Sequence, residues 1–363
     1  MTEKTYKEGI YFNMPEEEYH DIPYFSRSMS ENMNVDAQEA WYNSPFNPQK
    51  PENEPTAQMQ LGTAVHSMLL EPEVFEKLYV TRPTIDDFSG KIVLDKNAEL
   101  QDFLASVGEK KTGKKEDLIA RAEPYLDPSK YVIWDNVMSS YYQEIQDYGK
   151  REISASDVEI LSGIKKNLDE SEEIKQILQE GYPEVTIIWK DEETGIMCKC
   201  RLDWVRIEAI GEVKTFSMKF KKNLRKAMRD TINYERYNVQ FAVYQVALEN
   251  IIKKIKAGKA EVFGEVKKEW LAEFLKNSVK QFFIIFARTQ APYQVRAIEL
   301  QRAYTEGASQ NVYFSEGYLS FRSGITQYAS YLKQFGDKPW KESKEVETLM
   351  DEEVPGIMYQ NMN

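Results

Sequence analysis

Apolar and polar positions alternate most clearly between Glu184 and Lys214, and the pattern predicts three short strands. Glu184 to Trp189 is rich in β-branched residues, Asp191 to Gly195 carries turn chemistry, Ile196 to Arg206 returns, and Ile210 to Thr215 makes a third pass. Elsewhere the period lengthens to that of a helix. Leu61, Val65, Met68 and Leu69 form an apolar stripe that Pro72 is expected to stop. Tyr237, Gln240, Tyr244, Ala247 and Ile251 share one face of a helix expected over Tyr234 to Ile255. Charged helices are expected over 152–180, packed on one side of the sheet, and as a connection over 256–280. Gln281 to Arg288 and Tyr293 to Leu300 read as a hairpin that extends the sheet, and a last helix is expected around Tyr318 to Phe335. Residues 1–60 are aromatic, dotted with proline and short of periodicity. Helix starts are expected at Asn13 and within Ser26 to Ser30, the second running through Trp41. The whole describes an α/β chain with a mixed sheet flanked by helices.

Alternation also fixes where the acids point. Glu212 and Lys214 fall on one face of their strand while Val213 enters the core, and a neighbouring strand can present Asp203 beside them. Two or three carboxylates at one point suit a hard divalent cation such as Mg²⁺, with Mn²⁺ as a substitute. Lys214 would orient or help deprotonate water, or stabilise charge building on a phosphoryl group. The competing reading is an exposed strand pair with a cross-strand Asp and Lys. His66, at the edge of the Leu61 stripe, is either a packed boundary residue or a further metal ligand.

Composition narrows the partners. The 363 residues are 42% hydrophobic, enough for one large domain with an insertion or for two domains. With 47 basic against 59 acidic residues the net charge is −12, so contact with DNA has to come from a local patch. One candidate follows the acids: Lys219, Lys221, Lys222, Arg225, Lys226 and Arg229, a phosphate track or a solvated face. The two cysteines, Cys198 and Cys200, alternate on one strand and read as packing residues, too few for an all-cysteine metal or iron–sulfur site. No apolar run approaches a membrane span and no signal peptide is recognisable, so a cytoplasmic protein without membrane contact is expected. No Gly-rich phosphate loop occurs, which argues against use of a nucleoside triphosphate.

Asp203 followed by Glu212-Val213-Lys214 resembles the signature of the PD-(D/E)XK nuclease superfamily. Gly62-Thr63-Ala64-Val65-His66 with Leu69-Leu70-Glu71-Pro72, preceded by Ile22 to Ser28 and Ser44-Pro45, is similar to the start of the exonuclease VIII (RecE-like) family, usually phage-encoded. The order His66, Glu184, Asp203, Glu212/Lys214 and Gln240/Tyr244 matches that family, with Glu212 where Asp is commoner. The resemblance implies ATP-independent, metal-dependent removal of one strand of linear duplex DNA from a 5′ end, leaving a 3′ overhang for recombination. It implies that His66, Asp203, Glu212 and the Val213 carbonyl bind metal. Glu184 would assist a second metal or order water, Lys214 would activate water, and Gln240 and Tyr244 would position the strand. It further implies a homo-oligomeric ring, a RecT-like single-strand annealing partner, and a bacterial host cytoplasm. Two other classes stay open: a catalytically silent DNA-binding or decoy protein, and a defence or structure-specific endonuclease on the same fold.

Three regions are expected: 1–80 with the His66 helix, an insertion at 81–130, and 131–363 with the nuclease core. The insertion reads as helix, turn, helix around Leu100 to Gly108 and Thr112 to Arg121, and resembles a SAP-type DNA-binding motif. Backbone amides at the start of its second helix, with Lys110, Lys111, Lys114 and Lys115, are expected to favour a phosphate. The alternative is a small helical hairpin with a solvated basic turn.

Overall fold

The computed structural model describes residues 5–51, 54–218, 223–300 and 311–341. Eleven strands occur among them: β1 (Gly9–Tyr11), β2 (Tyr79–Thr81), β3 (Ile92–Leu94), β4 (Tyr131–Ile133), β5 (Arg151–Ile153), β6 (Tyr182–Lys190), β7 (Met197–Val205), β8 (Ala209–Phe216), β9 (Glu261–Phe263), β10 (Gln281–Arg288) and β11 (Val295–Leu300). Seven form one mixed sheet in the order β11-β10-β8-β7-β6-β1-β9, with β8 parallel to β10, β1 parallel to β9 and the other pairs antiparallel. β1 and β9 escaped the sequence pattern because three residues are too few to show a period.

Helices cover both faces. Arg27–Val35, Tyr237–Lys256 and Val312–Phe335 share a core with Ile187, Cys200, Ile210 and Phe282. Ala57–Leu70 and Ala155–Asp169 pack with Trp204, Val213 and Ile285 on the opposite face. Two glycines set how closely the last helix approaches: a Cβ on Gly317 would lie 2.2 Å from the Asn238 carbonyl oxygen, and one on Gly324 2.3 Å from Ser30 Oγ. The β6–β7 turn is fixed by Asp191, whose Oδ1 accepts from the Thr194 amide at 2.9 Å and its hydroxyl at 2.6 Å. Arg322 of the last helix donates to Asp191 Oδ2 at 2.5 Å and ties that turn to the helical layer.

Several expected boundaries move. The stripe helix stops at Leu70 ahead of Pro72 as expected, and Pro72 itself opens a further helix, Pro72–Leu78, where its missing amide costs nothing. Tyr234 ends the helix Leu224–Tyr234, and a left-handed Arg236 (φ 51°) separates it from Tyr237–Lys256. The first helix is Glu16–Asp21, after a left-handed Asn13, and Asp36 divides the next into Arg27–Val35 and Ala37–Tyr42. Trp340 is buried against Tyr328 and Tyr331, whereas Pro355 lies outside the described residues.

The expected insertion has its own small core of Leu94, Leu100, Leu104, Leu118 and Ile133. A boundary at 130 would cut through it, because β4 pairs in parallel with β3 and begins at Tyr131. The excursion continues through the helix Trp134–Tyr148 and rejoins the body at β5, which pairs in parallel with β2. Its two expected helices are present as Asn97–Ser106 and Lys115–Ala122.

Lys280 is a polar residue held almost wholly inside, 2% exposed, with its ammonium donating to the carbonyls of Ile207 (2.5 Å) and Phe274 (2.8 Å). Burial pushes its pKa down to about 8 from 10.5, with Glu208 opposing and Lys256 adding to the effect. The folded state therefore binds this proton less tightly than the unfolded chain, and the penalty is full below pH 8 and is relieved as pH rises towards 10.5. The thermal midpoint of the native protein should accordingly gain on that of Lys280→Met between pH 7 and pH 10. A midpoint difference that stays flat or falls over that range would remove the charge from this account.

Candidate active site

Irregularity in the sheet creates the site. β6 and β7 keep one register from Tyr182↔Val205 to Lys190↔Met197, yet Glu184 and Asp203 form no bridge, and Glu184 adopts a left-handed φ of 54°. Such a conformation is unfavourable for a long side chain and persists only where surroundings enforce it. The alternation of β7 also slips here: Cys198, Cys200 and Leu202 face one core, Trp204 the other, and Val205 the first again. Pairing between β7 and β8 is confined to Trp204↔Gly211 and Val205↔Ile210 among the described residues. The strands part at Asp203 and Glu212, and the Val213 amide donates instead to Asp203 Oδ2 at 2.9 Å.

Side chains fill that opening. His66, from the helix Ala57–Leu70, places Nδ1 3.1 Å from Glu184 Oε1 and Nε2 2.9 Å from Asp203 Oδ2. One donor atom from each of His66, Glu184 and Asp203 lies within 4.8 Å of the other two. Glu212 is 2% exposed, and its Oε1 accepts from Lys214 Nζ and Gln240 Nε2, both at 2.5 Å. Gln240 also donates to Tyr244 Oη at 2.7 Å, and the Tyr244 hydroxyl donates to the Arg201 carbonyl at 2.6 Å.

Charge balance explains the protonation states. Burial alone would lower His66, but Asp203 and Glu184 outweigh it and push it up to about 9, so the ring is an imidazolium between two carboxylates. Burial works against Asp203 ionising, yet His66, Lys214 and the Val213 amide hold its carboxyl below the usual range. Glu184 is raised, chiefly by burial. Glu212 is pushed up to about 7 by burial and by the neighbouring Asp203 charge. Burial opposes the Lys214 charge, but Glu212 and Asp203 more than compensate and raise its pKa. Lys214 is thus a firmly protonated cation in this arrangement. That charge suits an electrostatic role.

The donor set fits a divalent metal on one further observation. Glu212 Oε2 is buried without a hydrogen-bond partner among the described residues, although most buried polar side-chain atoms are satisfied. It lies on the residue whose other oxygen is held by Lys214 and Gln240. Oxygen-rich surroundings with one imidazole suit a hard cation, and the His66 proton occupies the corresponding charge position here. Of the residues expected to ligate, His66 and Asp203 meet directly. Glu184 joins them more closely than expected, Glu212 stands one layer inward, and Val213 takes part through its amide.

The DNA-facing expectations fare unevenly. Gln240 and Tyr244 are buried and act on the site by holding Glu212. Lys219, Lys221 and Lys222 lie outside the described residues, while Arg225 is exposed on the helix Leu224–Tyr234. In the insertion, Lys114 is exposed, but Lys115 is committed to Asp135 at 2.5 Å. The Lys114 amide at the helix start donates to Asp117 Oδ2 at 3.1 Å, so one of the amides expected to meet a phosphate is engaged by an acid of its own helix. Two arginines were missed. Arg201 pairs through Nε with Glu184 and donates to the Met14 carbonyl, and Arg27 reaches Gln240 Oε1 at 3.4 Å and the Glu235 carbonyl at 2.5 Å. Arg201 stood in the strand beside Asp203 as a signal; Arg27 pairs locally with Glu31 at 2.9 Å, but its contacts with Gln240 and the Glu235 carbonyl span more than two hundred residues and left no local pattern.

Two grooves open beside the cluster. One of about 530 Å³ contains His66, Glu184 and Asp203, the other of about 390 Å³ contains Arg27, Lys199, Gln240 and Tyr244, and Tyr19, His20 and Arg201 border both. Among the described residues no helix is long and apolar enough to cross a membrane. No curated protein matches the chain. A solved structure from Eubacterium rectale, provisionally described as an exonuclease, is similar at 14% identity and a TM-score of 0.34, over 74% of this chain and 96% of that one. Residues 28–320 match a family described as a PDDEXK-like domain of unknown function (DUF3799), and the chain, with its mixed sheet and acid–lysine cluster, belongs to that family.

Proposed function

We propose that this chain is a Mg²⁺-dependent, ATP-independent exodeoxyribonuclease of the RecE type. It acts on linear duplex DNA ends, removes the strand that begins at a 5′ end, and leaves a 3′ overhang. The observation that carries the reading is the unpartnered buried oxygen of Glu212 beside the His66–Glu184–Asp203 trio and the Lys214 cation. A polyanion is the substrate such a site suits once a cation neutralises its carboxylates. The family match and the absence of a Gly-rich phosphate loop agree with nuclease chemistry that needs no nucleotide.

His66, Glu184, Asp203 and Glu212, with the Val213 carbonyl, would hold the metal. When bound, it supplies a water of lowered pKa and a Lewis acid for the phosphoryl oxygens. The chain's own groups do the rest. Lys214 places a fixed positive charge where the phosphoryl group gains negative charge. Gln240 and Tyr244 keep Glu212 aimed, and Arg201 holds Glu184 in its strained backbone position. Assembly into a ring around DNA, handover to a RecT-like annealing protein, and action in a bacterial cytoplasm complete the proposal.

Linear duplexes with either 5′ end blocked test it directly. Only the strand with a free 5′ end should disappear, only with Mg²⁺, and Lys214→Ala should slow the loss by about a hundredfold or more, as removal of a single transition-state donor does. Cutting that persists in chelator, or cutting of closed circles, would favour a different nuclease. The metal is tested separately by thermal unfolding. Mg²⁺ or Mn²⁺ at a hundredfold excess over its dissociation constant should add about 2.7 kcal/mol to stability. Asp203→Asn should abolish that gain, and an equal gain in this variant would place the metal elsewhere.

A further inference from the structure

The groove that holds the His66–Glu184–Asp203 cluster has a second wall, built from the short β2–β5 ribbon. β2 and β5 lead into and out of the 82–150 excursion, and their first paired residues are Tyr79 and Arg151. Both line the 530 Å³ groove with His66, Glu184 and Asp203, and both also line an adjoining groove of about 460 Å³. They therefore stand at the junction of the two.

Charge singles out Arg151. A DNA strand entering this groove meets Glu16 and Glu71 as well as the metal-binding acids, so it needs cations besides the metal. Arg201 is committed to Glu184 and the Met14 carbonyl. Arg151 is exposed and makes no hydrogen bond or ion pair with the described residues; Glu16, held by His20 at 3.8 Å, feels it only at longer range. Its cross-strand neighbour Tyr79 is stacked on Phe75, with ring centroids 4.9 Å apart and 27° between planes, which fixes the orientation of that ring. An unpaired guanidinium beside a fixed aromatic face is the combination that binds a nucleic-acid strand: a fork for phosphate oxygens and a surface for sugar or base.

We propose that Arg151 grips a backbone phosphate of the DNA strand lying in the metal groove, away from the bond that is cut, with Tyr79 packed against the adjoining nucleotide. This rests on the nuclease reading above. Arg151 is a substrate-positioning residue in that reading, and the ribbon that carries the excursion is also the ribbon that carries the clamp. A phosphate contact of this kind adds uniform binding without sequence preference.

The test is steady-state digestion of linear duplex DNA by the full chain in Mg²⁺ at several salt concentrations, with native protein, Arg151→Ala and Arg151→Lys. Arg151→Ala should raise KM about tenfold with kcat nearly unchanged, and should reduce the salt slope of affinity by about one. Arg151→Lys should restore the slope, and the thermal midpoints of all three should agree because the residue is exposed. A native enzyme that cuts while Arg151→Ala shares its KM and salt slope would overturn the proposal. So would a fall in kcat at constant KM. A native protein that neither binds nor cuts linear DNA in Mg²⁺ would overturn the nuclease reading first and this proposal with it.

Discussion

Three carboxylates crowded into one opening of the sheet form the constraint around which this molecule is arranged. Unit charges 4 Å apart interact by about 4 kcal/mol at the effective dielectric of a protein surface, and more when buried deeper. Glu184, Asp203 and Glu212 could not be held together without cations, and the fold supplies them from three separate elements. His66 comes from the helix Ala57–Leu70, Arg201 from β7 and Lys214 from β8. Each acid faces at least one of them. The site is electrically closed in this state, apart from Glu212 Oε2, which has no hydrogen-bond partner among the described residues.

The sheet gives up regularity to make this possible. A continuous β7–β8 ladder would have engaged the Val213 amide with backbone and left no space for Asp203 to turn inward. Instead the ladder stops after two pairs, and the Asp203 carboxylate takes the place of a strand. The left-handed Glu184 does the same on the β6 side. The helix Tyr237–Lys256 closes the resulting gap from below, with Gln240 and Tyr244 spanning Glu212 and the Arg201 carbonyl. Strain, lost ladder bonds and desolvated charge are thus concentrated in a few residues at the centre of an otherwise well-packed core.

This concentration also explains what the sequence could and could not reveal. Glu212, Val213 and Lys214 were legible because β8 keeps strict alternation: Ile210 and Phe216 share one core with their face, and Val213 enters the other. His66 was legible from helical spacing. The phase slip at Asp203 was not, since alternation presumes a regular strand and Trp204 breaks that assumption. Nor was the role of Asp117, which caps the helix start where a phosphate was expected, because an acid three residues into a helix reads equally as solvated charge. The contacts of Arg27 with Gln240 and the Glu235 carbonyl, and the pairing of the short strands β1 and β9, depend on partners remote in the chain, and local periodicity carries no information about those.

The parallel pairing of β2 with β5 bears on how the 82–150 excursion relates to the rest of the chain. An insertion between antiparallel strands enters and leaves at adjacent points, so it can be replaced by a tight turn. Parallel strands offer no such shortcut: the chain must return along the full length of the ribbon before it can start the second strand, and a connection of a dozen or more residues is required. The excursion is therefore a structural crossover as well as an appendage. Excising it down to a short linker would unpair Tyr79 from Arg151 and dismantle one wall of the groove, so this small unit is not interchangeable with a simple loop.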